Sequence, residues 1–126
     1  MKVLVDSSVW VDHFKQRNEH LVALLEADSV VCHPYIVAEV ACGTPPGRKA
    51  IISLLSELEP SLMASQEELL ALLDARQLYG RGCGFVDLSL LASALLSETT
   101  RIWTLDKRFE QLATEANRAF SPLLHS

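Results

Sequence analysis

Short apolar runs alternate with segments of helical periodicity along this chain, and that alternation fixes its fold class. Residues 2–5 (KVLV), 29–32 (SVVC) and 101–105 (RIWTL) are brief and rich in β-branched or aromatic side chains, as in strands covered on both faces. Behind the first run, Trp10, Val11, Phe14, Leu21, Leu24 and Leu25 recur at helical spacings, with a break expected near Asn18. Pro34 suits the first turn of a helix, YIVAEVACG, that ends near Gly43. TPPG (44–47) reads as a turn, RKAIISLLSELE as a helix stopped by Pro60, and SLMA (61–64) as a third strand. SQEELLALLDARQLYG opens with Ser65 and Glu68 at capping-box spacing. GRGCG (80–84) reads as a flexible connection, FVDLSLLASALLSE and DKRFEQLATEA as helices, and NRAFSP as a last edge strand. Strands that alternate with helices in this way build an α/β fold around a mainly parallel sheet. With 126 residues and no visible linker or repeat, the expectation is one domain over residues 1–126.

Composition narrows the function classes. Apolar residues are 49% of the chain and charged residues 21%, which suits a packed core and argues against disorder. No apolar run reaches the length of a membrane span, and the N-terminal run meets an acid at Asp6, so a cytoplasmic protein without membrane partners is expected. Cys32, Cys42 and Cys83 form no CxxC pair and read as reduced, mostly buried thiols. The histidines show no HExxH and no Cys/His cluster, which argues against a structural zinc site. A net charge of −5 speaks against broad electrostatic binding of nucleic acid unless metal ions change the local charge.

Four acids stand apart from the rest. Asp6 ends the first strand and Asp106 follows the last, where open parallel sheets collect their ligands; each could equally be a helix N-cap. Glu39 lies in the apolar helix segment IVAEVA, where a buried carboxylate needs a cation, an arginine or hydrogen bonds. Asp87 crowns the stripe Leu90, Leu91 and Ala94, and could also serve as a first-turn charge. If the four converge, their repulsion would raise some of their pKa values unless a cation is present. One divalent ion would halve their charge and two would cancel it. Carboxylate oxygens favour Mg²⁺ or Mn²⁺, since no thiol or imidazole cluster competes for a softer metal. Ser7 and Thr104 lie beside the strand-end acids and could orient a carboxylate or a water.

These surroundings resemble the PIN-domain ribonucleases, and among them the VapC toxins of bacterial toxin–antitoxin pairs. VLVDSSVWVDHF carries Asp6, IVAEVACG carries Glu39, GRGCGFVDLSLLASAL carries Asp87 and IWTLDKRFEQLA carries Asp106, in the family's order and over nearly the whole chain. The resemblance implies a three-layer α/β/α sandwich with these acids gathered at one end of a mainly parallel sheet. It also implies a Mg²⁺-dependent endoribonuclease, with Asp6 and Asp87 as principal metal ligands and Asp106 and Glu39 completing the shell. The products would be a 5′-phosphate and a 3′-hydroxyl. Homodimers, a VapB-type antitoxin whose short segment blocks the pocket, and inhibition of translation follow from the same likeness. Phe85 stands where the family often carries an aromatic, whereas Lys107 takes a place where an acid or amide often follows the fourth Asp.

Among the cations, Arg81 and Arg108 each lie close in sequence to a site acid and are the candidates for holding RNA, although both could be solvated surface charges. Two other classes compete. A Mg²⁺-dependent aspartyl phosphotransfer domain also places acids at strand tips, but its phosphatase form needs DxD where this chain has Asp6-Ser7-Ser8, and its receiver form needs an Asp on a middle strand. A non-catalytic module could use an acidic pocket to bind a basic peptide.

Overall fold

Residue Val5 pairs with Trp103, and the ladder they close is the centre of the molecule. The computed structural model describes residues 1–125. Four strands, β1 (Lys2–Val5), β2 (Val30–Cys32), β3 (Glu59–Pro60) and β4 (Thr100–Trp103), form an all-parallel sheet in the order β3-β2-β1-β4. The central strands read as continuous apolar runs because both of their faces are buried, and Val3, Leu4, Val5, Val30, Val31 and Ile102 enter the core.

The chain steps from β1 to β2 to β3, then crosses back to β4 on the far side of β1. Right-handed crossovers therefore put the helices before β3 on one face and those after it on the other, giving three layers. The first set is α1 (Ser7–Lys15), α2 (Glu19–Glu26), α3 (Pro34–Ala41) and α4 (Arg48–Glu57); α5 (Gln66–Ala75) and α6 (Phe85–Leu95) lie between β3 and β4, and α7 (Lys107–Glu115) follows β4. The direction of travel reverses between β1 and β4. That is the crevice where parallel sheets bind ligands, beyond the carboxyl ends of the strands.

Local chemistry sets the helix boundaries. Asn18 ends the gap after α1 and its side chain accepts from the Leu21 N–H, so the break falls where the sequence placed it. Ser65 and Glu68 exchange both bonds of a capping box at 2.8 and 3.1 Å. Asp106 caps α7 by accepting from the Arg108 and Phe109 N–H groups.

The third strand departs from expectation. It is Glu59–Pro60 rather than residues 61–64, with Ser61 N–H donating to the Cys32 carbonyl at its end. Pro60 is tolerated because β3 is an edge strand. The expected strand at NRAFSP is a single parallel bridge, Ile102 to Ala119, held by two backbone bonds of 2.7 Å. The cysteines are free, but only Cys32 is buried; Cys42 is exposed and Cys83 half-buried. Among the described residues no helix is long and apolar enough to cross a membrane.

Phe109 links this core to the sheet's end, since its ring is fully buried while its N–H holds Asp106. Phe109→Ala should cost about 3–5 kcal/mol in urea unfolding. The same change at exposed Glu110 should stay within about 0.5 kcal/mol; a small loss at Phe109 would contradict this packing.

Candidate active site

Asp6 is the first residue beyond the β1 ladder, with its N–H bonded to the Trp103 carbonyl at 2.9 Å. It occupies the N-cap position of α1, yet its side chain makes no capping bond. Instead Asp6 Oδ2 accepts from the Thr104 hydroxyl at 2.7 Å and from the Ser8 hydroxyl at 2.8 Å. Thr104 Oγ1 in turn accepts from the Asp106 N–H, and Ser8 Oγ accepts from the Leu105 N–H. Both hydroxyl protons thus go to one carboxylate oxygen, and both hydroxyl lone pairs tie down the β4–α7 junction. Asp6 is buried at 6% exposure, a depth at which an unsupported carboxylate would be costly.

The other acids approach from three further elements. Asp106 uses Oδ1 to cap α7, so the capping role foreseen for it is real and occupies one oxygen. Glu39 accepts from the Ser7 hydroxyl on Oε1 at 3.1 Å. Asp87 lies in the first turn of α6 and is half-buried. Its pKa is pushed up to about 6, first by burial and then by the negative charges of Asp6, Asp106 and Glu39, while a backbone hydrogen bond at Gly84 pulls the other way. The charges of Asp6, Asp106 and Glu39 therefore all lie within electrostatic range of Asp87. Burial of its carboxyl end raises the Glu39 pKa as well, against the Ser7 bond and with a smaller push from Asp6.

Several expectations need revision. Glu39 as a residue is exposed: Ile36 and Val40 turn into the core while Glu39 stands on the rim, so it is not the deeply buried acid its apolar neighbours suggested. Ser7 and Thr104 both hold carboxylates, Ser7 on Glu39 and Thr104 on Asp6. Ser8 performs the same task on Asp6, and the signal for it is the doubled serine directly after the acid. Arg81 is engaged in a two-bond pair with Glu115, at 2.9 and 3.0 Å. Arg108 is exposed, and its guanidinium lies against Gly82, where an added Cβ would stand 2.9 Å from it. Gly82 also has φ +78°, a backbone conformation that favours glycine.

Residues 3–115 match the PIN domain. The chain belongs to the PIN-domain family. It is also 38% identical over 119 residues to Ribonuclease VapC32 of Mycobacterium tuberculosis, in both strain CDC 1551 / Oshkosh and strain ATCC 25618 / H37Rv, covering 94% of this chain and 96% of the relative. The three-layer sandwich with a parallel sheet is the PIN fold.

The chemistry of this PIN site fits a hard divalent cation. Its donors are carboxylate oxygens, and Asp6 Oδ1, Asp106 Oδ2 and Glu39 Oε2 take part in none of the bonds above. Among the described residues no three His, Cys, Asp or Glu side chains are gathered tightly enough to hold an ion as they stand. The acids are brought within electrostatic range, and a shared ligand would have to draw them closer.

Asp87 sets a pH dependence. Between its ordinary value of 3.8 and about 6, only the folded protein keeps the proton, so stability falls as pH rises through that window and the cost persists at pH 7. With chelator present, Asp87→Asn should therefore gain on the parent from pH 4 to pH 6, by about 1–2 kcal/mol once solvent screening of a part-exposed group is allowed for. Urea unfolding at each pH measures this; a gap that stays constant or closes over that range would contradict the crowding.

Proposed function

We propose that this PIN-domain protein is a Mg²⁺-dependent endoribonuclease, with Mn²⁺ able to replace Mg²⁺, and the toxin of a VapBC-type pair that inhibits translation. The reading is supported by the bonds that tie the Thr104 hydroxyl to both Asp6 and the Asp106 N–H and the Ser7 hydroxyl to Glu39, with the charges of these three acids all raising the Asp87 pKa. A relative named as a ribonuclease, alike over nearly the full length of both chains, supports it.

In this reading Asp6 and Asp87 are the principal ligands, and Asp106 and Glu39 complete the shell directly or through water. The bound cation supplies charge neutralisation at the phosphoryl oxygens and lowers the pKa of a coordinated water. The chain's own residues hold the geometry. Thr104 and Ser8 fix one oxygen of Asp6 and leave Oδ1 for the ligand. Ser7 steadies Glu39, and the α7 N–H groups steady Asp106. Asp6 is buried and fixed, so it is the invariable point of the site, whereas Glu39 on the rim has room to adjust. Hydrolysis would leave a 5′-phosphate and a 3′-hydroxyl.

The RNA backbone needs a cation outside the acidic centre. Arg108 is better placed than Arg81, because Arg81 would have to leave Glu115 first. A homodimer would bring two such edges together. A groove of about 270 Å³ lined by Val11, Phe14, Val40 and Pro45, with Lys15 and Glu39 also on its wall, suits the short antitoxin segment that would cover the acids.

Parent protein and Asp6→Asn, incubated with a total RNA pool, test this reading. The parent should cleave with Mg²⁺ and stop with chelator, and the variant should lose at least about a hundredfold in rate. Equal cleavage by both proteins would trace the activity to another nuclease and remove the proposal.

A further inference from the structure

Three rings form a ladder from the core to the surface at the first turns of α3 and α6. His33 is buried, and its ring lies 4.8 Å from that of half-buried Tyr35. Tyr35 lies 5.6 Å from the ring of Phe85, the two planes inclined by 38°. Phe85 ends the ladder with 56% of its surface exposed, although it opens α6, a helix whose residues Leu88 to Ala94 are buried. Packing therefore does not account for a bare phenylalanine at that place.

The position is specific. Tyr35 precedes Glu39 by one helical turn on α3, and Phe85 precedes Asp87 by two residues on α6. The two helices that supply these acids thus also supply the two touching rings. A purely apolar partner laid on Phe85 would bring its surface against crowded carboxylates. A nucleobase does not face that conflict, since its flat face can stack on the ring while its own phosphate, on the same nucleotide, reaches toward the acids.

We infer that Phe85, backed by Tyr35, is a stacking platform for one unpaired nucleobase next to the phosphate that is cut. This rests on the ribonuclease reading and deepens it by naming the residues that position the nucleotide at the cut. Bases inside an RNA duplex are stacked on one another and have no free face to offer. Phe85 and Tyr35 are positioning residues here, since neither touches the reacting atoms.

Two measurements keep the platform separate from the nuclease reading. The first uses Asp87→Asn protein, which should not cut, and a single-stranded oligoribonucleotide carrying one 2-aminopurine, whose fluorescence falls on stacking. The probe should be quenched, Phe85→Leu should weaken its binding roughly tenfold, and Phe85→Trp should restore it. A duplex of the same sequence should bind with no dependence on Phe85. The second follows cleavage in Mg²⁺, where Phe85→Leu in otherwise unaltered protein should raise KM about tenfold on unpaired RNA with kcat little changed. Equal melting temperatures for parent and Phe85→Leu exclude a folding effect, as the exposure of Phe85 leads one to expect.

Unchanged single-strand affinity in Phe85→Leu, an equal loss on duplex, or no quenching at all would overturn the platform. If the unaltered protein cuts RNA and Phe85→Leu keeps its KM, the platform alone is wrong. If the protein cuts no RNA, the nuclease reading fails, and the fluorescence titration still decides whether the rings stack a base.

Discussion

The carboxylate at the end of β1 is held by hydroxyls of Thr104 and Ser8 rather than by the helix that follows it. Had Asp6 capped α1, its oxygens would have been drawn toward the helix N–H groups and away from β4. Thr104 donates to Asp6 and accepts from the Asp106 N–H, so one side chain joins the tips of the two strands on either side of the crevice. Backbone pairing continues to the last residue before this junction, through Val5 and Trp103 and the Asp6 N–H. The position of the site is thus set by the register of β1 against β4, and the orientation of its first acid by two hydroxyls.

The cost of the arrangement falls on Asp87. Burial and three neighbouring acids make its charged form unfavourable, and the protein supplies only a backbone bond in compensation. Asp6 has two hydroxyl donors, Asp106 two helix N–H groups, and Glu39 one hydroxyl. Asp87 has a single backbone donor and three acidic neighbours, so a cation bound to it would relieve repulsion.

Much of the fold was legible because it rests on periodicity and capping chemistry. KVLV needed no context, the strand expected at residues 101–105 lies at Thr100–Trp103 because Thr104 leaves the ladder to bond Asp6, and Asn18 and Ser65 announced their helices. The edges were harder. β3 has two residues, fewer than any period can mark, and Pro60 argued against the place where it lies. The edge pairing at Ala119 is one bridge, made by backbone groups that sequence does not distinguish. Within the candidate site, the four acids stand apart in the sequence, but their surroundings do not. Glu39 sits among apolar letters yet faces outward, because the helix turns those neighbours inward. The pairing of Arg81 with Glu115 spans 34 residues and depends on the fold. The contact between Tyr35 and Phe85 joins two helices on opposite sides of β3 in sequence and leaves no trace in either segment.

The central claim is that these crowded acids exist to share a hard cation. Calorimetric titration with Mn²⁺ at pH 6, run in two buffers of different ionisation enthalpy, tests it most directly. Asp87 is part-protonated at that pH, so binding should saturate and release a fraction of a proton per ion, falling toward zero at pH 8 and in Asp87→Asn. Saturable binding with no proton release at pH 6, or no binding at all, would contradict the account.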